Sequence, residues 1–225
     1  MKINGKIWHN ASPLFSNFKI IEDSLGLPEK FIANLNEEDN WGFIIKAHAL
    51  IETMLTQVLS AKTDKRLETV FGKMALTGGQ ASKVKAAESL DLINDVQIEL
   101  IELFSAIRNK YVHSAKYISM DLQSYFKGID SNKLRKHAKN IINLMLDNPD
   151  EEDINSIKER LLEVPQQILS IALYYIIGSL LFKWKPIERA IAEKKMKREG
   201  SNVAMFIIFI MLLNQIGKQG KLKTN

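Results

Sequence analysis

The sequence predicts an all-α protein built as an up-and-down helical bundle, and two observations lead to this fold class. Apolar residues recur with the helical period of 3.6 residues from about residue 28 onward, whereas alternating runs of β-branched residues are scarce. The 225 residues are 46% hydrophobic and 25% charged, which is ordinary for a globular protein with a sizeable core.

The first long predicted helix follows a polar cap. Asp39 or Asn40 can cap a helix over residues 41–61, because both side chains accept hydrogen bonds from free amides of a first turn. We expect its apolar stripe to be Trp41, Ile44, Ile45, His48, Ile51, Leu55, Val58 and Leu59. A connecting helix over residues 64–75 then ends at the glycine pair 78–79.

The second long predicted helix begins with a capping box. Asn94 can accept from the amide of Gln97 while the Gln97 side chain reaches back, and the helix should extend to Ser114 or Ala115. Residues 116–130 look irregular. Ser131 can cap a helix over residues 132–146.

An acidic stretch at residues 147–153 contains Pro149 and is the best candidate for an internal linker. The other predicted helices are residues 82–90, 151–163, 165–184 and one that begins at Pro186. We therefore divide the chain into an N-terminal extension at residues 1–37, a helical domain at 38–184, and a basic helix with an apolar C-terminal segment at 185–225.

The positive charge lies in the last of these segments. From Lys183 onward there are ten Lys or Arg against three Glu, so the preceding residues carry a net charge of −2 although the whole chain has +5. A basic tail can bind RNA, an acidic partner or an anionic membrane, and it can equally be a solvated surface helix.

Composition excludes several kinds of site and favours a cytoplasmic location. The chain has no cysteine, which rules out disulfides, thiolate catalysis and cysteine-bound metals. The N-terminus has no apolar stretch typical of a signal peptide. The apolar runs 168–182 and 203–213 are each shorter than the roughly 20 residues of a membrane span, so we expect no membrane contact, with a short hairpin of the two as the alternative.

The helix after Asn94 combines a core stripe with a polar face. Its core positions should be Leu100, Leu103, Phe104, Ile107 and Tyr111. Asn109 and His113 are four residues apart and therefore share a face, which the 100° helical step places opposite that stripe. Arg108 lies at the flank, so an arginine, an amide and an imidazole gather near the end of one helix.

The string Arg108-Asn109-x-x-x-His113 resembles the motif of the HEPN superfamily. Four blocks in the same order resemble the mannitol operon repressor branch of that superfamily: residues 48–52 (HALIE), 71–75 (FGKMA), 90–93 (LDLI) and 106–109 (AIRN). The resemblance covers about residues 40–116, roughly a third of the chain.

The resemblance implies a metal-independent and cofactor-free endoribonuclease that acts as a homodimer, with two copies of the motif meeting in a cleft. The RNA 2′-hydroxyl would attack the adjacent phosphate and leave 2′,3′-cyclic phosphate and 5′-hydroxyl ends. His113 suits proton transfer near neutrality, Arg108 matches a phosphate, and Asn109 can orient either. Such proteins are common in defence and toxin–antitoxin systems, where a small nucleotidyltransferase is often the neutralising partner.

Three supporting residues and one rival function remain open. Glu52 can pair with Arg108 or support the site, His48 is better explained as a satisfied core histidine than as a ligand, and the Tyr111 hydroxyl can point to the cleft although its ring belongs to the core. The rival function is a non-catalytic regulatory or protein-interaction role, as in the mannitol repressor branch. The slightly acidic body favours it, because RNA binding needs positive charge.

Overall fold

The computed structural model describes residues 12–113, 117, 119–146 and 148–184, with side chains from residue 18 onward. The predicted basic helix from Pro186, the apolar run 203–213 and the first residues of the chain lie outside the described residues. In the described part there are ten α-helices and no β-strand: α1 (Ser12–Leu25), α2 (Phe31–Asn34), α3 (Asn40–Lys62), α4 (Glu68–Lys73), α5 (Lys83–Ser89), α6 (Asp95–His113), α7 (Leu122–Lys127), α8 (Ser131–Asn143), α9 (Glu151–Glu163) and α10 (Pro165–Trp184). The all-α prediction is confirmed.

The first compact unit includes α1 and α2. The Glu22 side chain, only 4% exposed, accepts the amides of Lys30 and Ile32 at 3.0 and 2.9 Å and so closes the turn between the two helices. The helical period in the sequence was recognised only from about residue 28 onward, so α1 was not predicted. Glu22 follows buried Phe18 by one helical turn, so a carboxylate interrupts the apolar stripe that would have revealed α1.

The second unit begins at Leu35 and contains α3 to α10. Its central helix, α3, packs against α4, α5, α6 and α10, while α8 packs on α6 and α9. Asp39 is the N-cap of α3 and accepts from the Gly42 amide at 2.6 Å. Asn40 instead joins neighbouring helices, because its Oδ1 accepts from the Leu122 amide and its Nδ2 donates to Gln166.

The interior of this unit follows the predicted stripes with three corrections, all on α3. Most predicted positions there are buried, but Trp41 is 41% exposed and Ile45 and His48 are half-buried. Trp41 stands in the first turn, where a helix end reaches solvent. All five predicted core positions of α6 are buried, from Leu100 to Tyr111.

Aspartates cap helices α7, α8 and α9, and their positions change several of the predicted helix boundaries. Residues 116–130, expected to be irregular, contain α7, which Asp121 caps. Asp130, not Ser131, caps α8. Asp150 and Asp153 form the capping box of α9, so the acidic stretch is a turn and a helix start, not a linker between units.

Helix α10 is the one described helix long and apolar enough to cross a membrane, with 20 residues and a mean hydropathy of 1.4. The sequence run had been predicted to be too short for a span. However, 61% of its apolar window is buried, and α10 packs against α3, α7 and α9. This burial is typical of the core helix of a soluble protein.

Candidate functional site

The predicted polar face lies on the last two turns of α6. Asn109 and His113 are exposed and Arg108 is half-buried, in agreement with the predicted helical phase. The Arg108 Nη1 donates to the Asn109 Oδ1 at 3.2 Å. An open face with a guanidinium, an amide and an imidazole can bind a phosphate and exchange a proton with its ester oxygens.

Tyr111 anchors this end of α6. Its side chain is 1% exposed and its hydroxyl donates to the Met120 carbonyl at 2.9 Å. Burial, followed by the nearby Asp121 and Asp39 carboxylates, raises the pKa of Tyr111 to about 12. The hydroxyl therefore stays protonated and fixes the chain after the helix, and it does not point to the open face.

Glu52 does not form the predicted pair with Arg108. It pairs instead with Lys83, whose Nζ lies 2.6 Å from its Oε1. The Lys83 side chain is 1% exposed, whereas Arg108 is only half-buried. A buried ammonium must have a counter-ion, while a half-exposed guanidinium can be hydrated, so Glu52 on α3 turns toward α5.

His48 lies beside this pair on α3. Its Nδ1 lies 3.9 Å from the Glu52 Oε2, and its side chain is 13% exposed. Burial lowers the pKa of His48, the Glu52 carboxylate raises it, and the Arg108 and Lys83 charges lower it. Arg108 on α6 therefore affects the pKa of His48 on α3.

Sequence reasoning missed Lys83. A lysine directly after a capping serine normally lies in solvent, and Ser82 does cap α5 by accepting from the Lys85 amide. The burial of Lys83 depends on how the short helix α5 sits against α3. No pattern within α5 itself indicates this burial.

Sequence reasoning also assigned nothing to His137, which is 5% exposed. Neither of its ring nitrogens has a hydrogen-bond partner among the described residues, and the same holds for the Ser105 Oγ and the Asn140 Nδ2. The sequence did indicate that His137 is buried. It follows Leu134 by three residues and precedes Ile141 by four, which places it on the buried face of α8.

Among the residues that the structure describes, no group of three His, Cys, Asp or Glu side chains is placed to hold a metal ion. No protein-family model, curated protein or solved structure matches the chain.

Proposed function

We propose that this protein is a metal-independent endoribonuclease of the HEPN type that acts as a symmetric homodimer. The observation that carries the proposal is the group at the end of α6, in which half-buried Arg108 lies beside exposed Asn109 and His113. The buried neighbours Ile107 and Tyr111 hold that turn in place, so the polar face does not depend on its own side chains for folding.

These residue types suit cleavage by the RNA itself. A His113 imidazole takes the proton of the 2′-hydroxyl, and the 2′-oxygen bonds to phosphorus. The bond from phosphorus to the 5′-oxygen breaks, and a second imidazole donates a proton to that leaving oxygen. Arg108 balances the negative charge that grows on the phosphate oxygens.

A two-fold axis supplies the second imidazole. In a symmetric dimer the same patch appears on both subunits, so two copies of His113 can serve as base and acid. The exposed Val112, 40% accessible and next to His113, gives this face an apolar contact for the second subunit. The setting we propose is cytoplasmic defence or toxin–antitoxin action, with a small nucleotidyltransferase as the neutralising partner.

The second candidate function is a non-catalytic regulatory or protein-interaction role. Val112 also favours this function, because an exposed apolar residue on the polar face can serve any protein contact. The hydrogen bond between Arg108 and Asn109 is compatible with both functions.

The test compares purified wild type with the Arg108→Ala and His113→Ala variants on mixed cellular RNA in EDTA. We expect the wild type alone to cut, leaving 2′,3′-cyclic phosphate ends, and both variants to keep the helical fold and the dimer. Lys139→Ala removes an exposed side chain on α8 and should cut like the wild type. A folded wild-type dimer that leaves the RNA intact would replace this proposal with the regulatory function.

A further inference from the structure

The side chain of Lys110 is exposed and lies in the last two turns of α6, within the candidate active face. At 100° per residue, Lys110 and Arg108 are about 200° apart and lie on opposite flanks of Asn109. His113 follows Lys110 by three residues and therefore lies beside it on the helix surface. The candidate active face thus has a cation on each flank, with an amide and an imidazole between them.

Two aromatic rings hold the Lys110 ammonium. Its Nζ lies 4.8 Å from the centre of the Tyr125 ring on α7 and 5.9 Å from the centre of the Tyr117 ring, in the chain between α6 and α7. Both distances are within the roughly 6 Å over which a cation is attracted to an aromatic face. The Tyr125 side chain is 4% exposed, so its ring is fixed by the core. The ammonium is therefore positioned on the side of the face that adjoins α7.

The rings position this charge without neutralising it. Among the described residues, the Lys110 ammonium has no carboxylate partner. By contrast, the ammonium groups of Lys83 and Lys136 lie 2.6 and 2.8 Å from glutamate oxygens. A carboxylate cancels the positive charge of a lysine, whereas a ring attracts the cation through its quadrupole and carries no net charge. Lys110 therefore presents a fixed and uncompensated cation to an anion that lies on this side of the face.

A carboxylate further along the same face sets the direction in which a bound strand can run. Glu102 is exposed and lies two turns before Asn109, within about 20° of it around the helix. The seven residues between the two positions correspond to about 10 Å along the helix axis. A phosphate near Glu102 would meet a like charge, whereas a phosphate displaced toward α7 would meet Lys110. These charges favour a strand that leaves His113 on the α7 side.

We propose that Lys110 binds the backbone phosphate adjacent to the one that is cleaved. The inference rests on the proposed ribonuclease function and gives Lys110 a role in substrate binding, with no part in proton transfer. His113 and Arg108 act at the cleaved phosphate, and Lys110 holds the next phosphate on the α7 side. This contact fixes where the strand lies relative to His113. Because a phosphate carries no base information, Lys110 affects every RNA sequence in the same way.

The experiment compares the wild type with the Lys110→Met and Lys110→Arg variants in two assays. Methionine keeps an unbranched side chain against the Tyr125 ring but removes the charge, whereas arginine keeps both the charge and the ring contact. Cleavage of a short RNA gives kcat and KM. Binding of the same RNA with methylated 2′-hydroxyls, which has no attacking group, gives Kd at several salt concentrations.

We expect Lys110→Met to raise KM and Kd about fivefold and to leave kcat unchanged, because a contact made equally in the ground state and the transition state affects binding alone. The slope of log affinity against log salt should become shallower by about 1, since one phosphate contact is lost. Lys110→Arg should restore KM, Kd and the salt slope. The matched control is Lys139→Met, which removes an exposed lysine of α8 and should behave like the wild type.

A lysine in the last turn of a helix can also act through the helix dipole alone. In that case Lys110→Met would lower the free energy of unfolding and leave KM, Kd and the salt slope at their wild-type values, which would overturn the proposal. Loss of kcat with unchanged KM would also refute it, since Lys110 would then act on the cleaved phosphate. Equal weakening of binding by Lys139→Met would indicate a general effect of charge and would count against Lys110 as well.

The phosphate contact and the ribonuclease function can fail separately. A wild type that cuts RNA while Lys110→Met retains the wild-type KM and Kd would refute the phosphate contact and leave the ribonuclease. A wild type that never cuts, but binds the methylated RNA more tightly than Lys110→Met does, would refute the ribonuclease and leave Lys110 as a phosphate-binding residue. A wild type that neither cuts nor binds would refute both.

Discussion

The buried His137 should make the stability of this protein fall as the pH falls. Burial above all, with the nearby Lys133 and Lys136 charges and against the Glu99 carboxylate, lowers the pKa of His137 to about 4. The unfolded chain has an ordinary histidine with a pKa of 6.5. Below that value the unfolded state binds the proton more readily than the folded state, so protonation favours unfolding.

The size of the effect follows from the two pKa values. Between an unfolded value of 6.5 and a folded value of about 4, the full loss is about 3 kcal/mol, reached below both. At about pH 5 the loss relative to about pH 7.5 is about 2 kcal/mol. This is a substantial share of the free energy of unfolding of a typical domain.

The measurement is urea unfolding, followed by circular dichroism at about pH 7.5 and about pH 5, for the wild type and the His137→Leu variant. The free energy of unfolding of the variant should match or slightly exceed that of the wild type at the higher pH, because leucine replaces a buried polar ring that has no hydrogen bond to any described residue. At the lower pH it should be more stable than the wild type by about 2 kcal/mol.

The control is Ser105→Ala, which removes another buried polar group that has no hydrogen-bond partner within the described residues but does not titrate. Its difference from the wild type should be the same at both pH values. Parallel pH curves for wild type and His137→Leu would refute the reasoning, since they would mean that water or local rearrangement solvates the ring.

Two further predictions concern the supports of the candidate site. Tyr111→Phe should lower the free energy of unfolding by about 1 kcal/mol, because the hydrogen bond to the Met120 carbonyl is lost, and it should leave RNA cleavage unchanged. Loss of cleavage in a folded variant would show instead that the hydroxyl acts at the candidate active face. Glu52→Ala leaves the buried Lys83 charge without its counter-ion and should lower the free energy of unfolding by about 3 kcal/mol. Lys83→Met leaves a carboxylate that water reaches, so it should lower the free energy of unfolding by less than about 1.5 kcal/mol. In urea unfolding the double variant should regain most of the Glu52→Ala loss, and strict additivity would show that the two side chains do not interact.

The features of α6 that depend on local rules could be predicted from the sequence. The 100° step separates the buried Ile107 and Tyr111 from the exposed Asn109 and His113, and this holds wherever the helix lies in the bundle. The capping box is equally local: Asn94 and Gln97 exchange backbone and side-chain hydrogen bonds at 2.9 and 3.0 Å.

Features that depend on the packing of separate helices could not be predicted. The partner of Glu52 is decided by the depth at which α5 buries Lys83, and no spacing within α3 encodes that depth. Polar residues on buried faces caused the other omissions. Glu22 on α1 and His137 on α8 occupy positions where an apolar residue was expected, so the pattern that identifies a helix or its core was interrupted.

The placement of the polar face makes its function separable from folding. Arg108, Asn109 and His113 lie on the outside of a helix whose inner side is fixed by Ile107 and Tyr111. Changes on the outer side leave these core contacts intact, so a loss of activity there reports chemistry. A change on the inner side has a different effect. The Tyr111 hydroxyl binds the Met120 carbonyl, so replacing the whole side chain changes the geometry at the end of α6 and affects activity only through that geometry.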